Sequence, residues 1–171
     1  MNLLLVAACL FALRRNAMLR TDVANDEALL TPPKGATLPP LVGKDYTGAE
    51  RAVVYGHDPR PTLVYTFTME CPHCQRNWRA MRSIQALAPN RLRIVYVDTT
   101  DNLFTYKYLT AKGIKQSALL VQLEPETAVA YDAQAVPQLL LAGHDGKVQW
   151  SHVGELTRSE ISSVVSLIGQ N

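Results

Sequence analysis

The chain has 171 residues, a formal net charge of +2, 47% hydrophobic residues and 19% charged residues. These values are ordinary for a globular protein with a real hydrophobic core, and the length suits one domain with an N-terminal appendage. The balanced charge excludes the strongly basic surface expected of a nucleic-acid-binding protein. Three cysteines in a chain of this size exclude a small scaffold stapled by disulfides.

The N-terminus begins with an uncharged, mostly apolar run, residues 1–13, which ends at Arg14 and Arg15. A helix that crosses a bilayer needs about 20 apolar residues. The run is shorter than that, so we interpret residues 1–15 as an apolar anchor or signal-like segment and leave open whether it is a truncated transmembrane anchor, a lipoprotein signal or neither. Cys9 follows Val6-Ala7-Ala8 and is either a lipidated cysteine or an ordinary small apolar residue.

Residues 16–45 are predicted to be a linker. Thr31-Pro-Pro and Leu38-Pro-Pro interrupt both helices and internal strands, although residues 22–30 have the composition of a short helix. The folded domain is predicted over residues 46–171, beginning with a turn at Gly48 and a short strand over residues 52–55.

The centre of the domain is a predicted strand, Thr62–Thr68, rich in β-branched and aromatic residues. The motif Cys71-Pro72-His73-Cys74 follows it. A helix with an apolar stripe comes next, formed by Trp78, Met81, Ile84, Leu87 and Ala88. The amides and the dipole at the start of a helix favour an anion, so a thiol placed there ionises more easily. Cys74, one turn later, lies within reach of a mixed disulfide at Cys71.

The rest of the chain predicts a second central strand over residues 91–98, parallel to the first through a right-handed crossover. A helix is predicted over residues 101–112, with Leu103, Tyr106 and either Leu109 or Thr110 on one face. The further predictions are a strand over 118–123, a short helix or turn over 125–132, a hairpin of 138–142 with 147–152, and a final helix. That helix starts with the capping box Thr157-Arg-Ser-Glu160.

Two features around the motif have simpler interpretations. Arg76, Arg79 and Arg82 share one helix face, which we interpret as a solvated surface, with docking of an acidic partner as the alternative. A single pair of cysteines is also half of a zinc site. Structural zinc needs four ligands, and the histidines outside the motif are scattered singly along the chain, so we predict no metal.

The order of these elements resembles the thioredoxin superfamily, and in particular TlpA/redoxin-like proteins, which are membrane-tethered thiol–disulfide oxidoreductases that work outside the cytoplasm. The resemblance covers roughly residues 38–168. It is found in the motifs Leu38-Pro-Pro-Leu-x-Gly43, Cys71-x-x-Cys74, Val136-Pro137, Asp145-Gly146 and Gly154. It implies an α/β fold of the thioredoxin-like three-layer α/β/α type with a mixed central sheet.

The same resemblance implies the chemistry of the site. Cys71 is the attacking thiol, Cys74 is the resolving thiol, and no cofactor is bound. Pro137 is implied to be a cis proline that faces the cysteines, so that the Val136 backbone pairs with a substrate peptide. The implied partners are protein thiols and disulfides, namely clients and a redox-recycling partner. The implied state is a monomer, tethered to a membrane with its domain in the periplasm.

Several residues depart from the thioredoxin pattern. Tyr65 stands where thioredoxins keep a buried acid, and Glu70 replaces the tryptophan that commonly precedes Cys71. A carboxylate pointing at the thiolate raises the thiol pKa, whereas a solvated one does little. Pro72-His73 is the dipeptide of the oxidising DsbA-like enzymes, and a cationic His73 stabilises the reduced form, which makes the disulfide a stronger oxidant. The direction of electron flow therefore stays open.

Two alternative functions remain. Thr68-Met-Glu-Cys71 has the spacing of peroxiredoxins, although Val64 stands where those peroxidases have a proline. Copper-delivery factors of the same fold use C-x-x-x-C with a distant histidine, whereas two residues separate the cysteines here. We predict a thiol–disulfide oxidoreductase and keep a peroxidase and a metal-binding assembly factor as alternatives.

Overall fold

The computed structural model describes residues 6, 8–18, 30–100, 102, 104–114 and 118–169. Residues 8–18 form a helix, α1, whose side chains are exposed, that of Cys9 included. Within the described ranges, no helix combines the length and the apolar character needed to cross a membrane. The short helix predicted over residues 22–30 lies outside these ranges except for its last residue.

The domain is built from alternating strands and helices. The strands are β1 (Leu41–Lys44), β2 (Glu50–Val53), β3 (Thr62–Phe67), β4 (Arg93–Asp98), β5 (Ala118–Leu120), β6 (Gln122–Leu123), β7 (Gln138–Ala142) and β8 (Val148–Val153). The helices that follow α1 are α2 (Pro72–Leu87), α3 (Thr105–Ala111), α4 (Pro125–Ala130) and α5 (Arg158–Gly169).

The central sheet is mixed and has the strand order β5-β4-β3-β7-β8. β3 is parallel to β4, and β4 is parallel to β5, whereas β7 is antiparallel to both β3 and β8. The predicted β3-α2-β4 crossover and the β7–β8 hairpin are thereby confirmed.

Successive side chains of a strand point to opposite faces of a sheet, and this alternation divides the core in two. Leu63, Tyr65 and Phe67 of β3 join the cluster under α2, whereas Val64 joins the cluster on the other face. Every residue of β3 is buried. Because both faces are covered, the strand has no solvent-exposed face, and its two threonines, Thr62 and Thr66, are buried as well.

The two faces of the central sheet are covered by different elements. Helices α2, α3 and α5 cover one face, through residues that include Met81, Leu109 and Val164. Leu41 and Val53 of the small sheet β2-β1-β6 cover the other, beside α4. The second outer layer is therefore a small sheet with a short helix, whereas the three-layer expectation placed helices there.

The small sheet also explains why one predicted strand is split. A single strand was expected over residues 118–123, but β5 ends at Leu120 and β6 begins at Gln122. β5 pairs with β4 in the central sheet, whereas β6 pairs with Gly43 and Lys44 of β1. The two halves of the run therefore belong to different sheets.

The end of the predicted linker is part of the folded domain. Leu38 and Leu41 are buried, and the Leu38 amide donates a hydrogen bond of 2.9 Å to the carbonyl of Gly146. β1 pairs with both β2 and β6. Pro39 and Pro40 precede β1, so they remove no hydrogen bond from its ladder. The predicted domain start at residue 46 therefore falls inside the fold.

Two predicted helices differ from the structure in detail. Leu87, assigned to the buried stripe of α2, is 61% exposed, whereas Ala88, assigned to the same stripe, is buried as predicted. α3 begins at Thr105, later than the predicted residue 101. Leu109 is its buried contact and Tyr106 is 40% exposed, while residue 103 lies outside the described ranges.

The structure shows one of the two hydrogen bonds of the capping box predicted for the last helix. The Thr157 amide donates a 2.5 Å hydrogen bond to a carboxylate oxygen of Glu160. The helix that follows packs against α2 through Val164 and Ile168, which are both buried.

Candidate functional site

The motif lies at the junction between the end of β3 and the start of α2. Cys71 is the N-cap of α2, and Pro72 opens the helix at a position where its missing amide hydrogen costs nothing. The Cys74 amide donates to the Cys71 sulfur at 3.3 Å. The sulfur thus serves as the acceptor that a serine or aspartate supplies at other helix starts. This places both cysteines at the predicted strand–helix junction.

The two thiols, both free in the structure, have different environments. Cys71 is partly exposed, whereas Cys74 is fully buried. The pKa of Cys74 is raised to about 12, chiefly by burial and then by its contact with Cys71, while the Thr68 amide and the Tyr65 hydroxyl act in the opposite direction. Cys71 is therefore the sulfur that an outside partner reaches, and Cys74 is the one held as a neutral thiol.

This difference predicts selective alkylation of the reduced protein. At pH 7, iodoacetamide is expected to modify Cys71 and to leave Cys74 unmodified, because the thiolate is the reactive form and Cys74 is both buried and protonated. Mass spectrometry of proteolytic peptides measures both positions. The exposed Cys9 is an internal reference, and a denatured sample should react at all three. Equal rates at Cys71 and Cys74 in the folded protein would contradict this assignment.

Tyr65 lies directly beneath the motif. Its side chain is fully buried, and its hydroxyl donates a 3.1 Å hydrogen bond to the carbonyl oxygen of Cys74. Burial raises the pKa of this phenol far above its ordinary value, so the hydroxyl remains a donor. Tyr65 therefore binds the backbone of the second cysteine. It occupies the position at which, as noted from the sequence, thioredoxins have a buried acid.

A charged cluster lies at the start of α2. One carboxylate oxygen of Glu155 is 2.6 Å from Nδ1 of His73, and it accepts a 2.7 Å hydrogen bond from Nε of Arg76. A second guanidinium nitrogen of Arg76 lies 2.6 Å from the same oxygen. The prediction for His73 considered only the Cys71 sulfur, whereas the structure pairs this histidine with a carboxylate.

The loop that supplies Glu155 is fixed by Asn77. The Asn77 side chain is 1% exposed. Its Nδ2 donates to the Gly154 carbonyl at 3.0 Å, and its Oδ1 accepts from the Leu156 amide at 2.8 Å. Sequence reasoning missed Asn77 and Glu155. The available signal was a polar residue, Asn77, directly before Trp78 of the apolar stripe.

Val136 and Pro137 approach the site from β7. Thr66 pairs with Gln138, so the two residues before Gln138 lie beside the end of β3, where the chain turns into the motif. The Val136–Pro137 peptide bond is cis, as expected from the resemblance. The carbonyl of Pro137 accepts a 2.8 Å hydrogen bond from the amide of Gly154. The role of Val136 in binding a substrate peptide stays a prediction.

The remaining predicted residues lie on the surface. Glu70 and Pro72 are exposed, and a solvated Glu70 is the case in which we expect little effect on the thiol. Over the residues that the structure describes, there is no group of three His, Cys, Asp or Glu side chains arranged to hold a metal ion.

No protein-family model matches the sequence, and no curated protein matches it. Solved structures match its fold. A thiol:disulfide interchange protein of the thioredoxin family from Chlorobium tepidum TLS is 18% identical, with a TM-score of 0.62 over 80% of this chain and 98% of that one. A DsbF homologue from Corynebacterium diphtheriae is 12% identical, with a TM-score of 0.65 over 78% and 87% of the two chains.

A peroxiredoxin-like protein from Aquifex aeolicus also matches, with 14% identity and a TM-score of 0.61 over 81% of this chain and 88% of that one. The chain therefore has a thioredoxin-like fold, and its structural neighbours include thiol:disulfide interchange proteins. Because the sequence identities of these neighbours are low, the match establishes the fold and not the activity.

Proposed function

We propose that this protein is a thiol–disulfide oxidoreductase that exchanges disulfides with partner proteins through Cys71 and Cys74. The observation that supports it best is the pairing of an accessible sulfur with a buried one. Cys71 caps the helix, and its sulfur accepts a 3.3 Å hydrogen bond from the Cys74 amide, whereas Cys74 is fully buried. This arrangement leaves the Cys71 sulfur open to a partner and protects Cys74 from outside reagents.

The reaction has two steps when a client is reduced. The Cys71 thiolate attacks one sulfur of the client disulfide, which forms a Cys71–client disulfide and releases the other client sulfur as a thiolate. Cys74 then loses its proton and attacks the Cys71 sulfur, which forms the Cys71–Cys74 disulfide and releases the second client sulfur. The client gains two electrons and, after protonation, two protons. A recycling partner returns the dithiol by the same chemistry.

Oxidation of a client is the reverse of these steps. Every intermediate is shared, so the geometry of the two cysteines serves both directions. The direction is set by the reduction potential of the Cys71–Cys74 pair relative to that of its partner. Charges near the Cys71 sulfur affect that potential, because only the reduced form carries a thiolate.

An exchange assay tests this function. The reduced protein is mixed with a peptide that contains one disulfide, and mass spectrometry follows both molecules. We expect reduced peptide and the Cys71–Cys74 disulfide to appear in equal amounts, to an extent set by the reduction potential of the pair, and the Cys71→Ser variant to convert none. In parallel, hydrogen peroxide is added to the reduced protein. Rapid peroxide consumption without peptide reduction would favour the peroxidase alternative.

We also propose that the domain works outside the cytoplasm as a monomer, tethered to a membrane through its N-terminal segment. The support is the uncharged run of residues 1–13 and the persistence of protein disulfides in oxidising compartments. The full chain should then remain with the membrane fraction after a carbonate wash. Recovery in the soluble fraction would contradict the tether.

A further inference from the structure

We infer that Glu155 is a positioning residue that lowers the reduction potential of the Cys71–Cys74 pair by binding His73 and neutralising Arg76 at the start of α2, the helix whose N-cap is Cys71. The inference rests on the proposed function, because it concerns the potential of the same dithiol. It assigns a role to a loop residue far from the motif in sequence, and it bears on the direction of electron exchange.

The first support is geometric. A single oxygen of Glu155 contacts Nδ1 of His73 at 2.6 Å and two guanidinium nitrogens of Arg76 at 2.6 and 2.7 Å. Bonds of this length are typical of charge-assisted pairs. The three side chains come from two elements, with His73 and Arg76 on α2 and Glu155 in the loop after β8. The carboxylate thus binds both the imidazole of His73 and the guanidinium of Arg76 in the first turns of the helix.

The hydrogen at Nδ1 of His73 follows from these contacts. Nδ1 also lies 2.9 Å from a guanidinium nitrogen of Arg76, but one ring nitrogen cannot donate to Glu155 and accept from Arg76 at the same time. The contact with Glu155 is shorter, and a carboxylate oxygen only accepts. We therefore assign a hydrogen to Nδ1 of His73, donated to Glu155, while Arg76 directs its own hydrogens to the same carboxylate.

The second support is the interaction between Arg76 and the Cys71 sulfur. The pKa of Arg76 is raised, first by its hydrogen bond to Glu155 and, to a smaller extent, by the negative charge of Cys71. The pKa of Glu155 is lowered by Arg76 and then by His73, so this carboxylate is ionised at neutral pH. Arg76 therefore interacts with both the Glu155 carboxylate and the Cys71 sulfur, and the carboxylate partly offsets its positive charge.

The sign of the effect follows from which redox form carries charge. Only the reduced protein can carry a negative charge on the Cys71 sulfur, because a disulfide does not ionise. A nearby cation stabilises the reduced form and makes the disulfide more oxidising. Glu155 offsets that cation, so its loss should raise the potential. This explains how a Pro-His dipeptide, by itself typical of strong oxidants, is compatible with a milder redox pair.

The position of the loop does not depend on Glu155 itself. Asn77 holds the loop through the flanking residues Gly154 and Leu156, and these contacts involve backbone atoms. Three other titratable side chains lie in this region. Glu70 is exposed, and Nε2 of His152 is 3.3 Å from the Glu155 carbonyl. The carboxylate of Glu160 accepts a hydrogen bond from the Thr157 amide. Replacing Glu155 with glutamine keeps its size and leaves these groups in place.

The test compares the wild-type chain with Glu155→Gln, each equilibrated in graded glutathione buffers. We expect the equilibrium constant for oxidation of glutathione by the Cys71–Cys74 disulfide to rise about tenfold, which corresponds to about 30 mV toward a less negative potential. Glu126→Gln is the matched control, because Glu126 is an exposed carboxylate at the first turn of α4, an element on the other face of the sheet. It should leave the potential unchanged.

Further measurements distinguish an electrostatic effect of Glu155→Gln from a change in structure. The side chains of His73, Arg76 and Glu155 are 61%, 53% and 40% exposed, so 1 M salt should shrink the Glu155→Gln shift through screening. Arg76→Gln should move the potential in the opposite direction, and the double variant should return close to the wild-type value. Circular dichroism checks that each variant is folded.

The outcomes distinguish this inference from the proposed function. A wild-type protein without a reversible two-electron transition would overturn the function itself. A wild-type protein that titrates normally, with Glu155→Gln at an unchanged or more negative potential, would overturn the role of Glu155 alone. A shift of the expected sign that persists in 1 M salt would also overturn it, because the cause would then be structural.

Discussion

Replacing Cys74 with serine is expected to convert the protein into a trap for its partners. Attack by Cys71 still forms a mixed disulfide, but the buried thiol that would resolve it is gone. Adducts of the full chain should therefore accumulate in cells and disappear on reduction. Non-reducing electrophoresis followed by mass spectrometry identifies them and locates the bond at Cys71. The fold should tolerate the change, since the hydrogen bond from Tyr65 to the backbone carbonyl of residue 74 does not depend on the side chain there.

The matched control is Cys71→Ser. Its remaining motif thiol is fully buried, and burial is the first cause of the raised Cys74 pKa, so it should trap no partner. The double variant Cys71→Ser/Cys74→Ser measures any background from the exposed Cys9. Adducts that form at Cys74 in the Cys71→Ser protein would reverse our assignment of the attacking and resolving sulfurs.

Replacing Trp78 with alanine should produce the largest loss of stability in α2. Trp78 is 3% exposed, and its ring meets those of Tyr65 and Phe67 edge-on, with centroids 5.3 and 5.0 Å away. Its indole nitrogen donates a 3.0 Å hydrogen bond to the Tyr108 hydroxyl. Truncating a buried tryptophan costs about 3–5 kcal/mol of the free energy of unfolding. Urea denaturation of the reduced protein measures it.

Leu87→Ala is the control for this experiment. The sequence placed Leu87 on the same buried stripe as Trp78, but the side chain is 61% exposed. The change should therefore alter the free energy of unfolding by no more than about 0.5 kcal/mol. A loss as large as that of Trp78→Ala would mean that the end of α2 packs differently from the structure described above.

The elements that were predicted well have local, repeating signals. β3 is marked by β-branched and aromatic residues, α2 by an apolar stripe after a motif with proline at its first position, and α5 by its capping box. These signals depend on neighbours a few residues apart, which a sequence shows directly. The cysteines could be placed for the same reason, because the start of α2 is defined by its own residues.

The parts that were not predicted depend on contacts between distant segments. His73 and Glu155 are 82 positions apart, and no spacing rule connects them. β1 was assigned to a linker because Pro39 and Pro40 precede it, and the sequence does not reveal that β2 and β6 pair with it. Leu87 has the helical phase of a core residue, but its side chain is exposed, whereas Ile84 and Ala88 on either side of it are buried.

The reduction equilibrium of the wild-type chain tests the central claim most directly. The protein is equilibrated in graded glutathione buffers, quenched, and the fraction of Cys71–Cys74 disulfide is measured by mass spectrometry. We predict one reversible two-electron transition between about −270 mV, the thioredoxin value, and about −120 mV, the DsbA value. A protein whose cysteines form no mutual disulfide in any buffer would contradict the claim that this pair exchanges disulfides.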